Sequence, residues 1–235
     1  TDHDGTSGYH SVIIVPKDSP YQTIDEIIQN GKDLIFGNGD PNSTSGYLMP
    51  SYHLWGPKGI NPKKYFKRMR NASHEMNCIS VATKQVDFAT NNDESLRLFY
   101  KNHPDKIDTI RTIWTSPLIP SDPMVWHKDL SPEWKARIKA VFLAFGRYGP
   151  EADKEIKILS EVGSGWGVFM DSNNDQLIPI RELQMAKERV IIKNHPRLKE
   201  NQKNEQLLEI SKREENLKQY IRLKNYWNST KVRNR

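Results

Sequence analysis

The chain has 235 residues, 36% of them hydrophobic, enough to bury a core of ordinary size as one large domain or two small ones. No apolar run approaches the roughly 20 residues of a membrane span, and the single cysteine, Cys78, excludes an internal disulfide and a cysteine-based zinc cage. The net charge of +6 is unevenly placed: residues 181–235 hold 15 Lys/Arg against 7 Asp/Glu, an excess of eight, which leaves residues 1–180 at a net −2.

The N-terminus "TDHDGTSGYH" has neither the basic start nor the apolar centre of a signal peptide, so any targeting segment is expected to lie outside this sequence. "SVIIVPKDSP" is a short β-branched run closed by Pro16 and Pro20, read as a buried strand over residues 11–15 followed by a turn. In "YQTIDEIIQNGKD", Ile24, Ile27 and Ile28 share a helical face, with Thr23 as N-cap and Gly31 beyond the last turn. "LIFGN" is a second strand. A helix from about Ser45, a helix through "EMNCISVATKQ", a strand "VDFATN", a helix "DESLRLFYKN" and a strand "TIRTIWTS" follow. Strands and helices alternating over short connections predict an α/β domain with a largely parallel sheet.

After Trp114 the pattern changes. "SPLIPSDPMVWHKDL" carries three prolines around two short apolar stretches, which suits an extended crossing segment. "SPEWKARIKAVFLAFG", with Ser131 as N-cap and Pro132 in the first helical position, and "PEADKEIKILSEV" read as helices. In the charged tail, Leu207, Ile210, Leu217 and Ile221 form a narrow apolar stripe on an amphipathic helix. Its lysines alternate with glutamates, as in "KREENLKQYIRLKN", the pattern of a solvated helix face and not of a nucleic-acid arm.

Chemistry concentrates in "FGNGDPNSTSGYLMP", residues 36–50. Gly39, Asp40 and Pro41 suffice for a turn, and Ser43, Thr44 and Ser45 are additional hydroxyls where a strand ends and a helix begins. Free N–H groups and the helix dipole favour an anion there, and hydroxyls add donors suited to a tetrahedral oxyanion. A plain helix cap is the alternative, because Ser and Thr are also preferred caps. The stretch lacks the GxxxxGK[ST] pattern of a nucleotide P-loop. His74 in "NASHEMNC" stands where a loop enters a helix and can donate to an anion, or be structural. Glu94 in "ATNNDESL" opens a helix after a strand, where it can accept a cation or simply complement the dipole. Asp122 in "IPSDPMVW" lies between prolines, as ligand acceptor or turn cap. Donors at 43–45 and 74 with acceptors at 94 and 122 would suit a zwitterion.

Five separated motifs, "GYHSVIIVPKDSP", "FGNGDPNSTSG", "NASHE", "VDFATNNDESL" and "SPLIPSDPMVW", together resemble, over roughly residues 5–180, the phosphonate-binding periplasmic proteins of bacterial ABC transporters. The resemblance implies a two-lobed α/β fold of the type 2 periplasmic binding proteins. Residues 1–16 and 118–180 would supply part of lobe one, 17–117 lobe two, and 181–235 a basic helical tail. It further implies that Ser43, Thr44, Ser45 and His74 hold phosphonate oxygens. Glu94 and Asp122 would hold the amine of 2-aminoethylphosphonate, with Tyr9 lining the cleft. The family has a further stretch of lobe one before "GYHSV" that is expected to be missing here. Also implied are a periplasmic location, a permease partner, dimerisation through the tail, and no cofactor or metal. Two other readings remain open: a binding protein for phosphite or a phosphate ester, and a hydrolase with a hydroxyl of residues 43–45 as nucleophile and His74 as base. The absence of a G-x-S-x-G elbow and of metal-ligand spacing weighs against the hydrolase.

Overall fold

A computed structural model describes the backbone of all residues except 3, 194, 196, 234 and 235, with side chains followed up to residue 226. The chain falls into two units, Thr1–Gln176 and Leu177–Arg235.

The first unit is built on a five-stranded sheet of order β4-β3-β5-β2-β6. Its strands are β2 (Ser11–Pro16), β3 (Ile35–Asn38), β4 (Arg68–Asn71), β5 (Phe88–Asn92) and β6 (Ile110–Thr115), preceded by the short β1 (Gly8–Tyr9). Helices α1 (Ile24–Gln29), α2 (Pro62–Tyr65), α3 (His74–Ala82) and α4 (Asp93–Asn102) lie between them. Every residue of β2 is buried. Ile13 and Val15 join Ile27, Phe36, Phe66 and Phe88 on one face, and Val12 and Ile14 join Val81, Phe99 and Ile110 on the other. A strand covered on both faces reads as an unbroken apolar run, which is how "SVIIVP" appears in the sequence.

β3 runs parallel to β4 and β5, whereas β2 is antiparallel to both β5 and β6. The expectation of a largely parallel sheet is therefore corrected at its centre. Hydrophobic pattern specifies that a strand is buried and says nothing of its direction. Direction is set here by how the chain enters. β1 pairs antiparallel with β7 (Ile119–Pro120), Tyr9 opposite Ile119, so the segments leading into β2 and out of β6 run side by side as one crossing ribbon.

The sequence pattern passed over β4. "RMRN" has no apolar alternation because β4 is an edge strand, and edges tolerate and even favour charge. Beyond β7 come α5 (Pro132–Ala144), none of whose side chains is fully buried, and α6 (Ala152–Glu161), which buries Leu159. The N-terminus lies against this part of the chain, with Asp2 bridged to Trp166 and Gly167 N donating to the Thr1 carbonyl at 3.0 Å.

The second unit consists of α7 (Ile178–Lys193) and α8 (Glu200–Arg233). The two helices pack on each other, with Arg189 bonded to Glu214 (2.7 Å) and Ser211 (3.1 Å), and Arg213 paired with Glu188. Of the tail stripe, Ile210 is buried, while Leu207, Leu217 and Ile221 are half-buried.

Candidate functional site

Three helix starts converge on one edge of the sheet. The π-helical turn Thr44–Leu48, α3 and α4 follow the carboxyl ends of β3, β4 and β5, which run in one direction. This is the edge at which open α/β sheets receive ligands. Because β2 runs the other way, its beginning, with Tyr9, His10 and Ser11, is brought to the same edge, and so is the end of β6.

Each start is capped by its own side chain. Ser43 Oγ accepts from Gly46 N (2.9 Å), Ser73 Oγ from Met76 N (3.2 Å) and Asn92 Oδ1 from Ser95 N (2.6 Å). The remaining N–H groups of each first turn carry the positive end of a dipole toward the edge. The loop into the first turn depends on two glycines. Gly39 N donates to the Gly46 carbonyl at 3.1 Å, and a Cβ on Gly39 would lie 2.5 Å from the Gly46 Cα. Behind the edge, the fully buried Asn77 of α3 donates to the carbonyls of Asn38 (3.2 Å) and Thr90 (3.1 Å), tying β3, β5 and α3 together.

Ser45 is buried, and its hydroxyl lies 3.3 Å from His74 Nε2 while accepting from Asn92 Nδ2 at 3.1 Å. Its carbonyl accepts from Ser11 Oγ at 2.6 Å, which fixes the loop to the start of β2. Burial holds the His74 imidazole below its ordinary pKa, and the ring's Nδ1 is buried with no hydrogen-bond partner among the described residues. The Thr44 hydroxyl likewise makes no hydrogen bond among them. Ser43, by contrast, already uses its oxygen as a cap, leaving its O–H to donate elsewhere.

The acceptor side gathers around Tyr9. Burial, and then the negative charges of Asp122, Glu94 and Asp93, push the phenol up to about 12, while a hydrogen bond to Ser45 pulls the other way. The Glu94 carboxyl is raised by burial and by Asp2, Asp93 and Asp122, and lowered by Arg97. Asp122 itself is exposed, in the extended segment after β7. The structure thus brings Ser45, His74, Tyr9, Glu94 and Asp122 to one edge, the hydroxyl and imidazole at the starts of the π-helical turn and α3, and the carboxylates in the first turn of α4 and in the segment after β7.

The sequence reading missed Asn92, whose amide holds the Ser45 hydroxyl. Its signal was the Asn-cap position before "DES". It also missed the pair formed by His10 and Asp93, in which Asp93 accepts from His10 N (3.0 Å) through one oxygen and contacts His10 Nδ1 (3.0 Å) through the other. The Ser45–His74 contact has the spacing of a nucleophile and its base. However, Asn92 occupies the same hydroxyl, and no carboxylate among the described residues orients the ring through Nδ1.

The family profile of the ABC transporter, phosphonate, periplasmic substrate-binding protein matches residues 1–177. The chain belongs to this family. Its members are substrate-binding proteins of transporters, not enzymes. The chain is 44% identical over 207 residues to the phosphonates-binding periplasmic protein of Escherichia coli, covering 88% of this chain and 59% of that protein. It is 30% identical over 114 residues to a probable ABC transporter phosphite-binding protein of Prochlorococcus marinus, covering 46% and 38% of the two chains. The crystal structure of a binding-protein component of an ABC phosphonate transporter from Pseudomonas aeruginosa superposes with a TM-score of 0.80 at 38% identity, over 96% of this chain and 72% of that one. The architecture is accordingly that of a type 2 periplasmic binding protein, and the chain spans about three-fifths of the length of the Escherichia coli relative.

Proposed function

We propose that this chain carries a phosphonate-binding site of a periplasmic binding protein, which selects aminoalkylphosphonates and delivers them to a membrane permease. The observation that carries the reading is the division of the sheet edge into two chemistries. On one side Ser43, Thr44, Ser45 and His74 stand at the N-termini of helices, where a tetrahedral oxyanion meets N–H, O–H and imidazole donors. On the other, Glu94 and Asp122 stand near Tyr9, whose phenol is raised first by burial and then by their negative charges. A ligand with an anionic head and an ammonium tail satisfies both, as 2-aminoethylphosphonate would. The hydroxyls and helix termini give directional contacts to the head, and the carboxylates sort ligands by their tail.

Calorimetric titration of the full-length protein with 2-aminoethylphosphonate, methylphosphonate, phosphate and glycine tests the reading, with the first binding tightest. Equal affinity for glycine would overturn the oxyanion assignment, because glycine lacks the tetrahedral group. Replacing Glu94 or Asp122 with Ala should cost the amine-bearing ligand about 1.5–3 kcal/mol and methylphosphonate little or nothing. A phosphite-binding protein is the second reading, supported by the Prochlorococcus marinus relative. Phosphite binding tighter than either phosphonate would establish it.

The tail is proposed to pair two copies of the chain. α8 has 34 residues and α7 has 16, so at about 1.5 Å per residue α7 spans only about half the length of its neighbour. The half-buried Leu217 and Ile221 continue the apolar stripe along α8.

A further inference from the structure

We infer that Asp2 and Arg97 form a specificity device, in which Asp2 holds the Arg97 guanidinium off Glu94 and so keeps the Glu94 carboxylate available for the ammonium of the ligand. The inference rests on the proposed role of Glu94 as amine acceptor.

On α4, Glu94 and Arg97 stand three residues apart, neighbours on the helix surface at a spacing where opposite charges ordinarily pair. They do not pair here: no direct ion pair joins them among the described residues. Arg97 Nη2 instead donates to Asp2 Oδ2, across 95 residues of sequence. The Asp2 side chain is only 4% exposed. Its backbone is fixed by Asp2 N donating to the Thr6 carbonyl (2.8 Å), by Gly5 N donating to the Asp2 carbonyl (3.0 Å), and by the bridge to Trp166. The anion that captures the guanidinium is therefore anchored through its backbone and comes from a different part of the chain. Arg97 Nε is buried without a hydrogen-bond partner, so the guanidinium retains a donor for a second acceptor.

Around Glu94 stand Asp2, Asp93, Asp122 and the Tyr9 phenol, with Arg97 as the balancing cation. If Arg97 swung onto Glu94, the acceptor would already hold a cation, and an incoming ammonium would have to displace a guanidinium. The site would then favour amine-free anions. With Arg97 drawn to Asp2, the acceptor stays open. Two charges that reach no ligand thus decide which ligand tail is admitted.

The test is a cycle of Asp2→Asn, Arg97→Gln and the double variant in the full-length protein, titrated with 2-aminoethylphosphonate and methylphosphonate. Asp2→Asn should weaken the amine-bearing ligand roughly tenfold or more, the scale of a lost charge-assisted hydrogen bond, and leave methylphosphonate unchanged or tighter. Adding Arg97→Gln to Asp2→Asn should restore the preference, because the competitor for Glu94 is gone. Equal weakening of both ligands, or no rescue in the double variant, overturns the inference. Arg97→Gln alone should keep the preference although it removes a cation from the buried Asp2 and lowers Tm. If Asp2→Asn does not fold, loss of preference in Arg97→Gln refutes the device. A ligand-free readout separates this inference from the functional reading. The Glu94 carboxyl pKa, followed by carbon NMR, should fall further on Asp2→Asn when Arg97 is present than in the Arg97→Gln background, since only then can the guanidinium move to Glu94. Equal falls overturn the inference even where no phosphonate binds, while a wild-type protein indifferent to the amine refutes only the assignment of Glu94 to the ligand.

Discussion

Burial, helped by Asp2, Asp93 and Asp122 and opposed by Arg97, lifts the Glu94 carboxyl above its ordinary 4.5, so folding disfavours its charged form. A group whose pKa is raised on folding contributes stability that is complete below the unfolded value and is lost as pH rises through the folded one. Glu94 therefore costs stability at neutral pH, where the proposed capture of an amine requires its charge. Thermal melts should show Glu94→Gln more stable than wild type at pH 7, with the gain vanishing below about 4.5. A gain that persists in acid would mean that the effect is not the charge. His74 is shifted the other way, held below 6.5 by burial, and is neutral in the free protein at neutral pH. A bound oxyanion favours the imidazolium, so the bound pKa exceeds the free one. The affinity contributed by that proton is complete below the free-state pKa and fades as pH rises through the bound-state pKa. The ligand's own second ionisation also titrates, so the measurement is the affinity difference between wild type and His74→Gln with one ligand. It should shrink toward basic pH, and a flat difference would move His74 from the site to the scaffold.

At the scale of elements, the two ends of the sheet make opposite demands on their loops. α1 follows the end of β2, so it starts at the edge opposite the site. There Thr23 and Glu26 form a reciprocal cap, Glu26 N donating to Thr23 Oγ1 (3.3 Å) and Thr23 N to Glu26 Oε2 (3.0 Å). Thr23→Ala should cost about 1 kcal/mol in chemical denaturation and leave ligand affinity unchanged. The loop between β3 and the π-helical turn is different. Gly39 and Gly46 meet backbone to backbone, so a Cβ at Gly39 has no flexible side chain to displace. Gly39→Ala should destabilise by about 1–3 kcal/mol and also weaken phosphonate binding, because relief comes only by moving the strand end or the Ser43–Ser45 turn. Affinity unchanged alongside a lowered stability would show that the turn does not hold the ligand.

At the scale of the whole molecule, the proposed pairing through the tail makes a direct prediction. Leu217→Glu together with Ile221→Glu places charge on the stripe of α8 beyond the ion pairs Arg189–Glu214 and Arg213–Glu188 that join α7 to α8. Light scattering should then report half the mass of the wild-type protein. A wild type that is already monomeric would leave the stripe a purely intramolecular role.

Much of the fold was legible because it is local. α4 occupies the "DESLRLFYKN" read as a helix, Ser131 caps α5 through Trp134 N (3.3 Å), and β2 lies where the apolar run places it. Each depends on neighbours within a few residues: a cap, a period, a proline. The Ser43–Ser45 cluster, His74 and Glu94 were legible as candidates for the same reason, since helix starts after strands announce themselves. What only the tertiary structure decided depends on partners distant in the chain. The direction of β2 follows from the pairing of β1 with β7, β4 exists through its parallel register with β3, and Asn92 matters through the hydroxyl of Ser45. Asp2 reaches Arg97 only because the fold brings the N-terminal segment to α4. A side chain's type sets what it can bond, but for these residues the energy lies in a contact that sequence spacing does not encode.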